Sequence, residues 1–281
     1  WRERRMIYEI IPMKMKNSSA KAKVTTYLIE HSEEIGIEKR PVVVVCPGGG
    51  YEFVSDREAE MIALKLNSFG YHAVVLRYSV APDAEYPTAL TELASVVAML
   101  RKNAEEWYID TEQILVQGFS AGGHLAASYG MFWSEPFLSE EVGVPTEMLK
   151  PNGMILSYPV ITSGEFAHRS SFEKLLGDRY DELVEKMSLE NQVNENTPQA
   201  FLWHTFTDDC VPVQNSLLLI DAMVKHNIPV EFHMYPSGGH GLGLANKYTA
   251  NPGGYGIKDD CESWTELLKI WLENNYPVKT I

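Results

Sequence analysis

The chain has 281 residues, of which 45% are hydrophobic and 22% charged, values that exclude a disordered chain or a collagen-like repeat. Lys plus Arg number 24 against 38 Asp plus Glu, a formal net charge of −14 that repels phosphate backbones and anionic lipid, so neither nucleic acid nor a membrane is the expected partner. Cys46, Cys210 and Cys261 are odd in number and far apart, which suits neither a disulfide framework nor a zinc site; no metal or organic cofactor is expected.

Residues 1–20 hold no apolar run followed by a small-residue cleavage site, and no run of 18 apolar residues occurs anywhere. A reducing, cytoplasmic setting is the expectation, with export left open by a start at Trp1. The basic side chains of residues 1–40 read as solvated faces of early strands.

In chain order, residues 6–11 and 22–29 alternate in polarity and predict two partly exposed, antiparallel strands. Pro41-Val-Val-Val-Val-Cys46 is a continuous β-branched run, the pattern of a strand covered on both faces. Residues 56–69 place Ala59, Ile62, Ala63 and Leu66 on one helical face and end at Gly70. A strand over 71–77, a helix over 87–103, a strand over 113–117 and a small-residue helix over 121–132 repeat the alternation. Further strands are expected at 154–158, 201–204 and 230–235, with helices at 213–226 and 259–274 after the last two. Strands alternating with helices call for parallel pairing and right-handed crossovers. Residues 161–197 break the rhythm, with a short helical stretch at 181–187, and read as an insertion over the carboxyl ends of the strands.

The sharpest local signal is Gly118-Phe-Ser120-Ala121-Gly122-Gly123-His124, a G-x-S-x-G turn between an apolar strand and a small-residue helix. In that setting the Ser120 hydroxyl projects above the sheet, and the Ala121 N–H can face a developing oxyanion. His124, four residues into the helix, should point away from the turn and serve packing or hydrogen bonding. Pro47-Gly48-Gly49-Gly50-Tyr51 follows the first buried strand, and its glycines let the Gly49 and Gly50 amides approach the same oxygen. A phosphate cradle is disfavoured, because neither G-x-x-x-x-G-K-[ST] nor G-x-G-x-x-G is present.

Past the strand ending at His204 lie Asp208 and Asp209, and past the next strand lies Gly238-Gly-His240-Gly. A carboxylate there can orient the imidazole whose other nitrogen faces serine. Spacing leaves the choice between Asp208 and Asp209 open. His204 suits the loop base, and His233 a sheet face.

With these pieces in place, the chain resembles the α/β-hydrolase superfamily, and within it the small acetyl esterase/lipase group related to the hormone-sensitive-lipase branch. The resemblance covers residues 41–281 and rests on PGGGY at 47–51, GFSAGGH at 118–124, LWHTFTDDCVPVQNS at 202–216 and GGHGLG at 238–243. It implies a single α/β-hydrolase domain over 1–281, with a mostly parallel sheet, helices on both faces and a small cap-like insertion at 161–197. It places the acid on Asp208, completing Ser120, Asp208 and His240. The family's donor motif begins with histidine where this chain has Pro47, and its N-terminal cap is missing here, so an open pocket and a small acyl group are expected. The implied activity is removal of acetyl or similar groups from small O-acylated substrates, carbohydrates such as xylo-oligosaccharides among them, and a homo-oligomer is compatible with it. Tyr51, Trp133, Tyr158, Phe166 and Trp203 are the candidate pocket aromatics.

Overall fold

The computed structural model describes residues 6–280; the part of the basic N-terminal segment in residues 1–5 lies outside them. Eight strands form one sheet: β1 (Ile10–Pro12), β2 (Lys23–Tyr27), β3 (Arg40–Cys46), β4 (His72–Arg77), β5 (Ile109–Phe119), β6 (Gly153–Ser157), β7 (Ala200–Thr205) and β8 (Val230–Tyr235). Their spatial order is β1-β2-β4-β3-β5-β6-β7-β8. β1 and β2 are antiparallel to their neighbours, as expected, and the remaining pairs are parallel; only β1 is partly exposed, whereas Val24–Tyr27 of β2 are buried, contrary to expectation.

The β-branched run of β3 explains its central place. Val42, Val44 and Cys46 pack into the core on one face of the sheet, and Val43 and Val45 into the core on the other. Burying each valine contributes about 1.5–3 kcal/mol, so an exposed face would forfeit several such increments. The first core takes α2 (Thr88–Lys102) and α3 (Ala121–Phe132); the second takes α1 (Glu60–Ser68) and, at the end of the chain, α9 (Trp264–Asn275). In α1 the expected stripe of Ala59, Ile62, Ala63 and Leu66 is buried. The expected helical start at Asp56 is instead a 3₁₀ turn over Asp56–Glu58, separated from α1 by Ala59 at φ −112°, ψ −102°.

α4 (Pro136–Val142) and α5 (Arg169–Leu176) were not anticipated. In α5, Phe172, Leu175 and Leu176 are buried at helical spacing, but the polar Arg169–Ser171 opening conceals the period. The helical stretch expected at 181–187 is the short α6 (Tyr180–Leu183). α7 (Gln214–Lys225) follows β7, and the C-terminal helix is preceded by a single turn, α8 (Asp259–Glu262). No sheet strand occurs within 161–197, as expected. No helix of the described residues is long and apolar enough to cross a membrane.

From β3 the chain passes through α1 to β4 on one side, then through α2 back to β5 on the other. This reversal opens a crevice at the carboxyl ends of β3 and β5, where open α/β sheets bind ligands. Cys46 is paired with Gly118, so the glycine loop and the serine turn leave the sheet side by side.

Candidate active site

Ser120 has φ 53° and ψ −120°, a conformation that L residues rarely adopt. The turn tolerates it because both flanking positions lack a Cβ: one on Gly118 would lie 2.0 Å from the Gly122 oxygen, and one on Gly122 would lie 2.1 Å from the Cys46 oxygen. The Ser120 N–H donates to the Ser157 oxygen at 3.0 Å, and its own carbonyl accepts from Val160 N–H at 3.1 Å. The end of β6 and the segment just past it thus hold the strained residue from the side.

The Ser120 hydroxyl lies 2.6 Å from His240 Nε2, and His240 Nδ1 lies 2.7 Å from Asp208 Oδ2. Asp208 is buried and Asp209 exposed, which resolves the choice that spacing left open. Asp208 Oδ1 accepts from the N–H groups of Cys210 and Val211 at 3.0 and 2.9 Å, fixing the turn that 208–212 suggested. Burial alone would raise the Asp208 carboxyl; hydrogen bonds from His204 and His240, the His240 charge and the Val211 amide outweigh it and hold the group far below the usual range. His204 Nε2 donates to the Val211 oxygen at 2.9 Å, with Asp208 Oδ2 at 3.3 Å, so this imidazole braces the loop base as its position implied.

His124 faces away from the turn. Its Nε2 donates to the Met187 carbonyl at 3.0 Å, so Nδ1 accepts from the Tyr51 hydroxyl at 3.0 Å. Burial pushes its pKa down to about 4, and the Met187 carbonyl opposes this only partly.

The glycine loop is anchored without a histidine at Pro47. Tyr78 OH donates to the Pro47 carbonyl at 2.7 Å, and Gly48 N–H donates to Glu58 Oε2 at 2.8 Å. Gly49 (φ 132°) and Gly50 (φ 64°) follow in conformations reserved largely for glycine. Their amides meet no protein acceptor among the described residues. The Ala121 N–H opens α3, where first-turn amides have no helical partner. These groups can receive charge on a substrate oxygen beside Ser120.

A cleft of about 320 Å³ lies over the serine, lined by Gly49, Gly50, Phe53, Arg57, Ser120 and His240 together with His168 and Lys174. Burial and the neighbouring His240 depress the His168 imidazole.

Contrary to expectation, none of the five candidate pocket aromatics borders this cleft. Tyr51 is buried against His124, and Trp133 is buried with its indole N–H on the Asn196 carbonyl at 2.9 Å. Trp203 is stacked on Trp264 at 5.2 Å, and Phe166 is half-buried, its carbonyl accepting from Asn215 Nδ2. Tyr158 lies behind the imidazole, its ring centroid 5.1 Å from that of His240. The aromatic at the cleft is Phe53. Sequence reasoning missed it and Glu58, although both lie within eight residues of Gly50, just beyond a strand end.

Among the described residues, no cluster of three or more His, Cys, Asp or Glu side chains could hold a metal ion. A hydroxyl, an imidazole and a carboxylate in hydrogen-bonded sequence, on this sheet and beside unpaired amides, define a serine hydrolase of the α/β-hydrolase fold.

Comparison with known proteins narrows the class. Residues 30–223 match the BD-FAE family, and the chain belongs to that family. It is 36% identical over 225 residues to endo-1,4-beta-xylanase B of Butyrivibrio fibrisolvens, covering 77% of this chain and 34% of that protein. It is 30% identical over 209 residues to an acetylxylan esterase of Xylanibacter ruminicola, covering 72% of this chain and 41% of that protein. The chain therefore spans about a third to two fifths of the length of these curated relatives. Among solved structures, the acetyl ester-xyloside bifunctional hydrolase of Caldicellulosiruptor lactoaceticus superposes with a TM-score of 0.81 at 34% identity, covering 96% of this chain and 97% of that one.

Proposed function

We propose that the protein is a serine carboxylic-ester hydrolase that removes acetyl or other small acyl groups from O-acetylated sugars such as xylo-oligosaccharides. The observation that carries the chemistry is the Ser120–His240–Asp208 chain, with contacts of 2.6 and 2.7 Å. His240 Nε2 takes the hydroxyl proton as Ser120 Oγ bonds to the ester carbon. The carbonyl oxygen becomes an oxyanion held by the amides of Gly49, Gly50 and Ala121. Collapse breaks the bond to the alcohol oxygen, which receives the proton from His240, and leaves an acyl-serine. Water then attacks that acyl group, giving its proton to His240, and the acid departs as Ser120 recovers its own. Asp208 stays ionised throughout and orients the imidazole.

The sugar preference rests on likeness to proteins named as an acetylxylan esterase and an acetyl ester-xyloside hydrolase. The small cleft favours a short acyl group. The test is acetate release from acetylated xylo-oligosaccharides beside a series of aryl acyl esters, with a phosphonate ester used to label Ser120. Acetate release, an adduct on Ser120 and acetyl preferred over octanoyl are expected. Octanoyl preference would favour a general carboxylesterase, and no adduct in folded protein would sink the nucleophile assignment.

A further inference from the structure

The active-site cleft shares a wall with a second cavity. Glu52 and Phe53 border both; beyond them, Val54 and Asp56 line the second cavity while Ser55 and Arg57 line the first. Residues 52–57 therefore lie between the two cavities. The second cavity is about 650 Å³, larger than the cleft over Ser120, and nothing in the acyl transfer uses it. Its far side is built from residues 19–23 and from the turn at 78–83 that follows β4.

Phe53 stands on this shared wall with 60% of its surface exposed. Its N–H donates to the Gly49 carbonyl at 3.1 Å, so the glycine turn that presents the candidate oxyanion amides also carries this ring. The charges around the second cavity balance. Lys21, Lys23 and Arg77 face Glu52, Asp56 and Asp83, with Arg77–Asp56 at 2.6 Å and Lys21–Asp83 at 3.6 Å. An anionic ligand would gain no net attraction there, and an aliphatic chain would desolvate charged groups at a cost. A neutral polyol fits both features: its hydroxyls can meet the polar side chains, and its C–H faces can rest on an exposed aromatic ring.

We propose that this cavity is a subsite for the sugar units adjoining the acetylated one, so that a neutral oligosaccharide crosses Phe53 from one cavity to the other. The inference rests on the ester-hydrolase reading above and names the part of the substrate that the cleft over Ser120 does not hold.

The test is a chain-length series of monoacetylated xylose, xylobiose, xylotriose and xylotetraose, with 4-nitrophenyl acetate as the sugar-free reference. kcat/KM is expected to rise at least about tenfold from xylose to xylotetraose, equivalent to roughly 1.4 kcal/mol of added transition-state binding. Lys21→Ala combined with Asp83→Ala removes two exposed side chains that border only the second cavity. This double variant should lower the xylotetraose-to-aryl-acetate ratio at least about fivefold. A flat series from an enzyme that hydrolyses both the aryl acetate and acetylated xylose would overturn the subsite and leave the esterase reading intact. A rise that survives unchanged in the double variant would place the extra units elsewhere. A strong preference for uronate-bearing over neutral oligomers would also overturn the proposal. Failure with every acetate would instead bring down the underlying reading.

Discussion

The Tyr158 hydroxyl donates to Glu58 Oε1 at 2.7 Å across 100 residues of sequence, and through this contact the glycine loop is joined to the histidine loop. The other Glu58 oxygen accepts from Gly48 N–H at 2.8 Å, while the Tyr158 hydroxyl accepts from Gly243 N–H at 2.9 Å. Glu58 is thus a positioning residue with both oxygens committed to donors. Glu58→Gln keeps the shape but turns an amide N–H₂ toward one of them. A mismatch of this kind costs about 1–3 kcal/mol, so kcat for 4-nitrophenyl acetate should fall about tenfold or more with KM nearly unchanged. Unchanged kcat would remove Glu58 from the site's support, and a matching rise in KM would assign it to substrate binding.

Replacing Ser120 or His240 by alanine should lower turnover at least about a thousandfold. Asp208→Asn should show a comparable loss, because it removes the charge facing His240 Nδ1. Asp209→Asn changes an exposed carboxylate and should stay within about threefold of the parent. Steady-state rates of the four variants decide this, and the opposite ranking of the two aspartates would reassign the acid.

Gly122→Ala should cost the fold before it costs chemistry. Its Cβ would sit 2.1 Å from the Cys46 carbonyl oxygen, in backbone that cannot yield without moving β3. Gly36→Ala is the matched control, since a Cβ there meets no atom within 4 Å. Thermal melts should show a large fall in Tm, or no folded product, for the first and little change for the second.

Acid should destabilise the protein through two buried imidazoles. Burial lowers the pKa of His72 and of His124 to about 4, against an ordinary 6.5. The unfolded chain therefore binds more protons as pH falls below 6.5, and stability drops until the folded-state values near 4 are passed. Each group contributes about 3 kcal/mol to this loss. Urea unfolding between pH 7 and 4 should show the decline, and His72→Gln should flatten it; a variant with an unchanged slope would exclude His72. Asp208 works in the same sense, but at lower pH. Its carboxyl is depressed, so its contribution is complete above the ordinary carboxylate pKa and fades as pH falls toward the folded value.

Much of the architecture is written locally. The Val42–Cys46 run could only be a strand buried on both faces, and the boundaries expected for α3 and β8 coincide with those observed. Helix α5 was hidden because its apolar period starts only after Arg169–Ser171. The pocket aromatics were misplaced for a different reason: Trp203 and Tyr158 belong to apolar stretches at strand ends, and a sequence does not say whether such a ring faces a cleft or another ring.

The amino-acid sequence by itself determined the alternation of strands and helices, the serine turn and the order of a serine, an acidic pair at 208–209 and a histidine, because sterics and periodicity act over a few residues. The tertiary structure turned Asp208 rather than Asp209 inward, as the family resemblance implied, and alone decided that Glu58 reaches Tyr158 and that Phe53 divides two cavities. These relations join segments tens to hundreds of residues apart, and the crossovers that bring them together are a property of the whole packed sheet.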